Sequence, residues 1–339
     1  MKVLIIMDPG IPVPPKEYGG HERLVYMFAM EYHRMGHEVT LLVGEGSHFE
    51  HGKVITFGKI GYPKPKIEGV KDIFRCWRKL LPIYKQFDLI HNFGRLAYLL
   101  PILNHPVKKI MTYGREISGG NIKRITRLPH KNLVFTGCST DLISRGGIAG
   151  RWETVYNAIE FNKYGLQEQV SDNAPFMFLG RLERVKGIHH AITVAKKTGN
   201  RLLIAGNISA LPEEKAYYEQ EILPHVDGQQ IRYLGALNDE QKNEYLGTCK
   251  ALLFPIDWNE PFGMVMVEAM ACGTPVVAFS KGSVPEVVDD GITGYKVNTV
   301  EEMIDVLPKL SRIDRKRCRQ QAADRFDVNI VAAHYLNLF

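Results

Sequence analysis

At 339 residues the chain is longer than one ordinary core needs and suits two α/β domains. Hydrophobic residues make up 45% and charged residues 24%, with 15 Phe, 15 Tyr and 3 Trp, which excludes a disordered or low-complexity chain. The odd number of cysteines, none in CxxC spacing, suggests neither a disulfide framework nor a zinc site and suits a reducing, cytoplasmic setting.

Val3 to Ile6 is a β-branched apolar run that reads as a first buried strand. Next come Pro14-Pro15-Lys16-Glu17-Tyr18-Gly19-Gly20-His21-Glu22-Arg23, a glycine pair opening a helix on which Leu24, Met27, Phe28, Tyr32 and Met35 share a face until Gly36 stops it. The backbone amides of Gly19 and Gly20 suit an anionic ligand, and equally a plain helix-entry turn. Val39 to Val43 is a second strand. Between Lys59 and Lys85, eight Lys or Arg stand against Glu68 and Asp72 and interleave with Ile73, Phe74, Trp77, Leu80 and Leu81. This pattern reads either as a basic amphipathic helix lying on an anionic membrane surface or as a solvated face over a core-facing stripe. Leu89-Ile90, Ile110-Met111 and Leu133 to Thr136 continue the strand–helix alternation of a parallel sheet. No apolar run approaches the ~18 residues of a spanning helix.

A polar stretch from Glu160 to Pro175 reads as a linker, and a second cycle begins at Phe176 to Leu179. The block that follows is Gly180-Arg181-Leu182-Glu183-Arg184-Val185-Lys186-Gly187. Arg181 and Lys186, a planar fork and a mobile point charge across a strand-to-helix turn, suit the charge on a leaving diphosphate; a solvated basic pair is the alternative. The block is neither GxGxxG nor GxxxxGK[ST], so neither dinucleotide nor P-loop binding is indicated. Strands follow at Leu202 to Ile204, Ile231 to Leu234, Ala251 to Phe254 and Pro275 to Phe279. Between the last two lies Glu260-Pro261-Phe262-Gly263-Met264, running on to Glu268. Pro261 suits a helix start, Gly263 admits a ligand to the backbone, and Glu268 lies about 12 Å further along the helix axis. The pair reads as a two-point grip on a ligand, or as two acids on a capped, half-buried helix. Arg325 to Phe339 reads as a closing amphipathic helix.

In this order and spacing, Tyr18-Gly19-Gly20, Gly36-His37-Glu38-Val39, Asn157-Ala158, Gly180-Arg181, Lys186-Gly187, Gly235, the two glutamates and Gly282-Ser283-Val284-Pro285-Glu286 resemble the retaining glycosyltransferases of family 4 over most of the chain. The resemblance implies the GT-B fold, two Rossmann-like doubly wound domains facing a central cleft. It implies an acceptor domain at 1–160, a nucleotide-sugar donor domain at 161–320, and a terminal helix at 321–339 crossing back to the first domain.

It further implies that Arg181 and Lys186 hold the donor diphosphate and Glu268 the ribose hydroxyls. Glu260 and the amides of Phe262, Gly263 and Met264 would hold the transferred sugar. Gly19, Gly20, Gly180 and Gly235 would line the donor site, with Glu260, Arg181 and Lys186 as the catalytic set. The donor implied is a UDP-sugar, the mechanism metal-independent and retaining, and no cofactor and no nucleic-acid partner are expected. The acceptor is unidentified, a cell-envelope glycan or lipid precursor being compatible. Many members carry a histidine where this chain has Tyr113. His91, Tyr113, Arg115 and Glu116 are therefore assigned to the acceptor side. His91 is either a substitute for that histidine or a structural hydrogen-bonder. A sugar-nucleotide 2-epimerase of the same fold and a catalytically idle nucleotide-sugar binder are the competing readings. The protein is expected in the cytoplasm, with peripheral membrane contact through residues 59–85.

Overall fold

The computed structural model describes residues 1–16, 19–61, 63–117, 119–146 and 149–339. It divides into two compact units, residues 1–158 with 328–339, and residues 159–327.

The first unit contains β1 (Lys2–Ile6), α1 (Gly20–Arg34), β2 (Glu38–Val43), β3 (Lys53–Thr56), α2 (Lys66–Leu80), β4 (Leu89–Asn92), β5 (Lys108–Tyr113), α3 (Gly119–Ile125), β6 (Leu133–Gly137), α4 (Thr140–Arg145) and β7 (Trp152–Thr154). Its strands are all parallel, in the order β3-β2-β1-β4-β5-β6-β7. Val3 to Ile6 and all of β4 and β6 are buried, as strands covered on both faces must be, and this is why they read as unbroken apolar runs. Tyr18, part of the glycine-pair motif, lies outside the described residues.

The second unit contains β8 (Phe176–Leu179), α5 (Ile188–Thr198), β9 (Leu202–Ala205), α6 (Pro212–Tyr217), β10 (Ile231–Tyr233), α7 (Asp239–Thr248), β11 (Ala251–Phe254), α8 (Met264–Ala271), β12 (Val276–Phe279), α9 (Val284–Val287), β13 (Gly294–Val297), α10 (Val300–Val306) and α11 (Arg315–Phe326). Its sheet is again parallel, in the order β10-β9-β8-β11-β12-β13. Chain order reverses between β8 and β11, and at such a switch point an open α/β sheet leaves a crevice at its carboxyl edge. Arg315 pins the unit from inside. Its guanidinium donates to the carbonyls of Gln167 (2.5 Å), Cys249 (3.1 Å) and Gly247 (2.8 Å) and to Thr274 Oγ1 (2.5 Å).

The closing segment departs from the single helix read over 325–339. α11 ends at Phe326, Asp327 is extended and bridges Ile159, and a separate helix α12 (Val328–Leu336) belongs to the first unit. There Tyr335, 1% exposed, packs edge-on to Phe28 (ring centroids 5.2 Å) and against His91 (4.5 Å).

Helix α2 splits the apolar set read in the basic segment: Leu80 is buried, Ile73 and Trp77 are half-buried, and Phe74 and Leu81 are exposed. Gly69, Asp72, Cys76 and Leu80 face inward, while Ile67, Val70, Phe74 and Leu81 are exposed. An apolar line of Ile67, Val70, Phe74 and Leu81 therefore faces away from the core. Among the described residues no helix is long and apolar enough to cross a membrane.

Candidate active site

In the second unit the turn after β8 and the loop after β11 emerge side by side at the switch point, and they carry most of the residues expected to bind the donor. Lys186 and Glu260, 74 positions apart, meet as an ion pair at 2.5 Å, each side chain 14% exposed. Trp258 closes over both: its indole Nε1 donates to Glu260 Oε2 at 2.9 Å, and the Lys186 ammonium lies 4.9 Å from its ring centroid. A cation on an aromatic face and a shared carboxylate oxygen hold the lysine at one point.

Two glycines make this meeting sterically possible. Gly187 has φ +75°, and a Cβ there would fall 1.8 Å from the Pro255 carbonyl oxygen, so only glycine lets the β8 turn lie against the end of β11. Gly282 has φ +58°, and a Cβ there would fall 2.4 Å from both the nitrogen and the oxygen of Glu260. The amide of Ser283 donates to the Glu260 carbonyl (2.9 Å) and its hydroxyl to that of Phe262 (2.8 Å). Gly263 begins α8, and Phe262 is buried edge-on to Phe326.

Arg181 is about half exposed and pairs with Glu183 (2.7 Å), which is 9% exposed. Glu268 is buried on α8. It accepts hydrogen bonds from Lys242 Nζ (3.1 Å) and the Tyr164 hydroxyl (3.2 Å). Burial pulls the Lys242 ammonium down, but Glu268 and Asp239 outweigh it and hold its pKa above the usual lysine value. Burial and Glu268 together push the Tyr164 phenol well above its ordinary range. Lys242 and Tyr164 escaped the sequence reading, because no local motif links positions so far from Glu268. Gly180 lies at the end of β8; Gly235 lies beyond β10, and its carbonyl accepts from the amide of Gly206 (2.9 Å).

Nearby, the ligand-capable atoms of His189, His190 and Asp257 lie within 4.8 Å of one another. Asp257 also accepts from Lys281 (2.7 Å) and pairs with His190 (2.9 Å).

In the first unit Gly19 and Gly20 stand at the entry to α1, with open space above Gly20. His21, missed as a site residue although it directly follows the pair, sits over Gly114: a Cβ on Gly114 would meet its Nε2 at 2.0 Å. Burial and the neighbouring Arg115, whose Nη2 is 3.4 Å from Nδ1, bring its pKa down to about 4. Tyr113 is half-buried beside Trp152 (5.7 Å between rings), and Arg115 and Glu116 are exposed.

His91 does not belong on the acceptor side. It is 0% exposed, with Nδ1 2.9 Å from the Tyr32 hydroxyl and Nε2 2.8 Å from Thr112 Oγ1, and its ring stacks on Phe93 at 4.1 Å. Burial brings its pKa down to about 3, so it is a neutral member of a closed hydrogen-bond chain running on to Thr136 (2.8 Å from Thr112).

Two doubly wound parallel units, with basic and acidic side chains converging at a switch point, define the GT-B class of glycosyltransferases. The family described as Glycosyl transferases group 1 matches residues 163–325, and Glycosyltransferase Family 4 matches residues 18–113. The chain belongs to the family 4 glycosyltransferases of GT-B fold. It is 28% identical to the lipopolysaccharide 1,2-N-acetylglucosaminetransferase of Salmonella typhimurium, over 96% of this chain and 92% of that one. It is 24% identical, over 55% of its length, to an uncharacterized 41.2 kDa protein in the cps region of Klebsiella pneumoniae, spanning only about half (54%) of that relative. In fold it is similar to Anabaena HepE in complex with UDP-glucose, with a TM-score of 0.71 and 19% identity over the whole of both chains (100% each).

Proposed function

We propose that this chain transfers a sugar from a UDP-sugar to a cell-envelope glycan or lipid precursor, with retention of anomeric configuration and without a metal ion. The observation that carries the reading is the meeting of the β8 turn and the β11 loop, which sets Lys186 against Glu260 at the switch point; Arg181 belongs to the same β8 turn. The Salmonella relative, named for lipopolysaccharide, and the UDP-glucose complex of HepE support the acceptor class and the donor.

In this reading Arg181 and Lys186 neutralise the diphosphate, doing by side chain what a metal does elsewhere. Glu268 accepts hydrogen bonds from the ribose hydroxyls, its carboxylate held in place by Lys242 and Tyr164. Glu260, with the amides at the start of α8, orients the transferred sugar. Donor binding moves Lys186 from carboxylate to phosphate, freeing one Glu260 oxygen for a sugar hydroxyl. The bond from the anomeric carbon to the phosphate oxygen breaks as the acceptor oxygen bonds on the same face, and the acceptor's proton passes to the leaving phosphate. Tyr113, Arg115 and Glu116 act in acceptor choice. The five cysteines, all free and buried, fit a cytoplasmic setting.

The test is incubation with a panel of nucleotide sugars in EDTA, following UDP release and the anomer of the freed sugar by NMR before it mutarotates. Release from one UDP-sugar with the donor's own anomeric configuration is expected. Inversion overturns the retaining mechanism. Loss of rate in EDTA with recovery on adding a divalent ion overturns metal independence and moves attention to His189, His190 and Asp257.

A further inference from the structure

We infer that helix α2 is a docking surface for an anionic phospholipid bilayer. The inference stands on the first unit alone and does not depend on the donor chemistry. Ile67, Val70, Phe74 and Leu81 recur at helical spacing, and these four side chains are 71%, 53%, 59% and 47% exposed, forming a line roughly 20 Å long.

The helix cannot roll to bury this line, because its opposite face is fixed by interactions of its own. Asp72, 1% exposed, is held by Lys64 and Arg75, both at 2.8 Å. Gly69 sits so close beneath Arg95 that a Cβ there would meet the guanidinium at 2.4 Å. Cys76 and Leu80 are fully buried, and Trp77 donates from Nε1 to the Ala97 carbonyl at 2.9 Å.

Charge selects the occupant. Lys71 and Arg78 run along one side of the stripe and Lys66 lies on the other. Lys66, Arg78 and Lys79 are exposed, with no carboxylate partner among the described residues. A second copy of this chain docked face to face would set these cations against their own copies, which disfavours a homodimer. A surface of lipid phosphates over hydrocarbon satisfies both halves: the apolar side chains enter the headgroup boundary while the basic ones remain among phosphates.

The experiment is co-sedimentation of the full chain with vesicles of phosphatidylcholine alone and vesicles in which about a third is phosphatidylglycerol. Binding to the anionic vesicles is expected, at least tenfold weaker to the neutral ones and weakening as salt is raised, a readout that needs no variant. Ile67→Ser with Phe74→Ser, and separately Arg78→Glu with Lys79→Glu, are each expected to lower vesicle binding at least tenfold with an unchanged melting temperature. These positions are exposed, so the fold does not depend on them. No binding to anionic vesicles, or binding indifferent to both salt and these substitutions, overturns the inference. So does a dimer in solution that Phe74→Ser dissociates, because the stripe is then covered by a second copy.

Discussion

The Lys186 ammonium lies 2.5 Å from Glu260 Oε2, and each side chain is only 14% exposed, so each is the other's counter-charge in the absence of ligand. Removing one member of a buried pair strands the other, at ~3–5 kcal/mol for full burial. With this much residual exposure, and with Trp258 still donating to Glu260, Lys186→Met is expected to cost about 2 kcal/mol by denaturant unfolding. The same substitution should abolish the melting-temperature rise given by UDP, which for a ligand at 100 times its Kd corresponds to about 2.7 kcal/mol. Glu260→Gln keeps hydrogen-bonding capacity but loses the charge; it should leave UDP binding nearly intact and lower the transfer rate about 100-fold. Full transfer activity in Glu260→Gln would remove Glu260 from the chemistry.

Gly187→Ala tests the backbone that brings the pair together. The substitution imposes a side chain at φ +75° and drives its Cβ to 1.8 Å from the Pro255 carbonyl, so the turn must retreat from β11. Left-handed strain costs ~1–3 kcal/mol at such a site, and the clash adds to it. A folded protein with a lower melting temperature and weakened UDP binding is expected. Gly20→Ala, where nothing lies within 4 Å, is the control and should leave the melting temperature nearly unchanged.

The central strands were legible because they are buried on both faces and therefore carry unbroken apolar runs: Val3 to Ile6 and Phe176 to Leu179 are examples. β3 and β7 are edge strands of the first sheet and only half-buried, so Lys53 to Thr56 and Trp152 to Thr154 carry no such run, and neither was anticipated. The motif residues Arg181, Lys186, Glu260 and Glu268 stood out by type and by the turns they occupy. Their partners did not: Lys242 and Tyr164 reach Glu268 only through the packing of separate elements. Of the exposed α2 line only Phe74 and Leu81 stood out in the sequence, grouped there with Ile73, Trp77 and Leu80, because periodicity does not say which face turns inward. That is decided by Asp72, a charged residue committed to the buried side by Lys64 and Arg75.

His91 makes stability depend on pH. Its folded-state pKa, brought down to about 3 by burial, lies below the ordinary histidine value of 6.5, so between these limits only the unfolded chain takes the proton. Stability contributed by the neutral ring is complete above pH 6.5 and falls as the pH drops towards 3, by about 2 kcal/mol at pH 5. Guanidinium unfolding at pH 7 and pH 5 is the measurement. His91→Asn should lower stability at pH 7, because it breaks the links to Tyr32 and Thr112, yet lose less between the two pH values than the parent does. An unchanged pH loss in the variant would mean that His91 is protonated or solvated in the folded protein.

The same ring is packed by the last helix, which gives a sharper test of what α12 contributes. Val328, Val331, Ala332 and Tyr335 are all buried, and Tyr335 fills the space between Phe28, His91 and Phe93. Truncating a fully buried aromatic to alanine costs ~3–5 kcal/mol, because the cavity collapses only in part. The loss should fall on the first unit, since residues 328–339 pack there and α11 ends before them in the second. Calorimetry of Tyr335→Ala is expected to show an unfolding step moved several degrees lower. The UDP-dependent stabilisation, which we assign to residues of the second unit, should persist. Equal loss of both would mean that the two units unfold as one cooperative body, with Tyr335 supporting the whole chain.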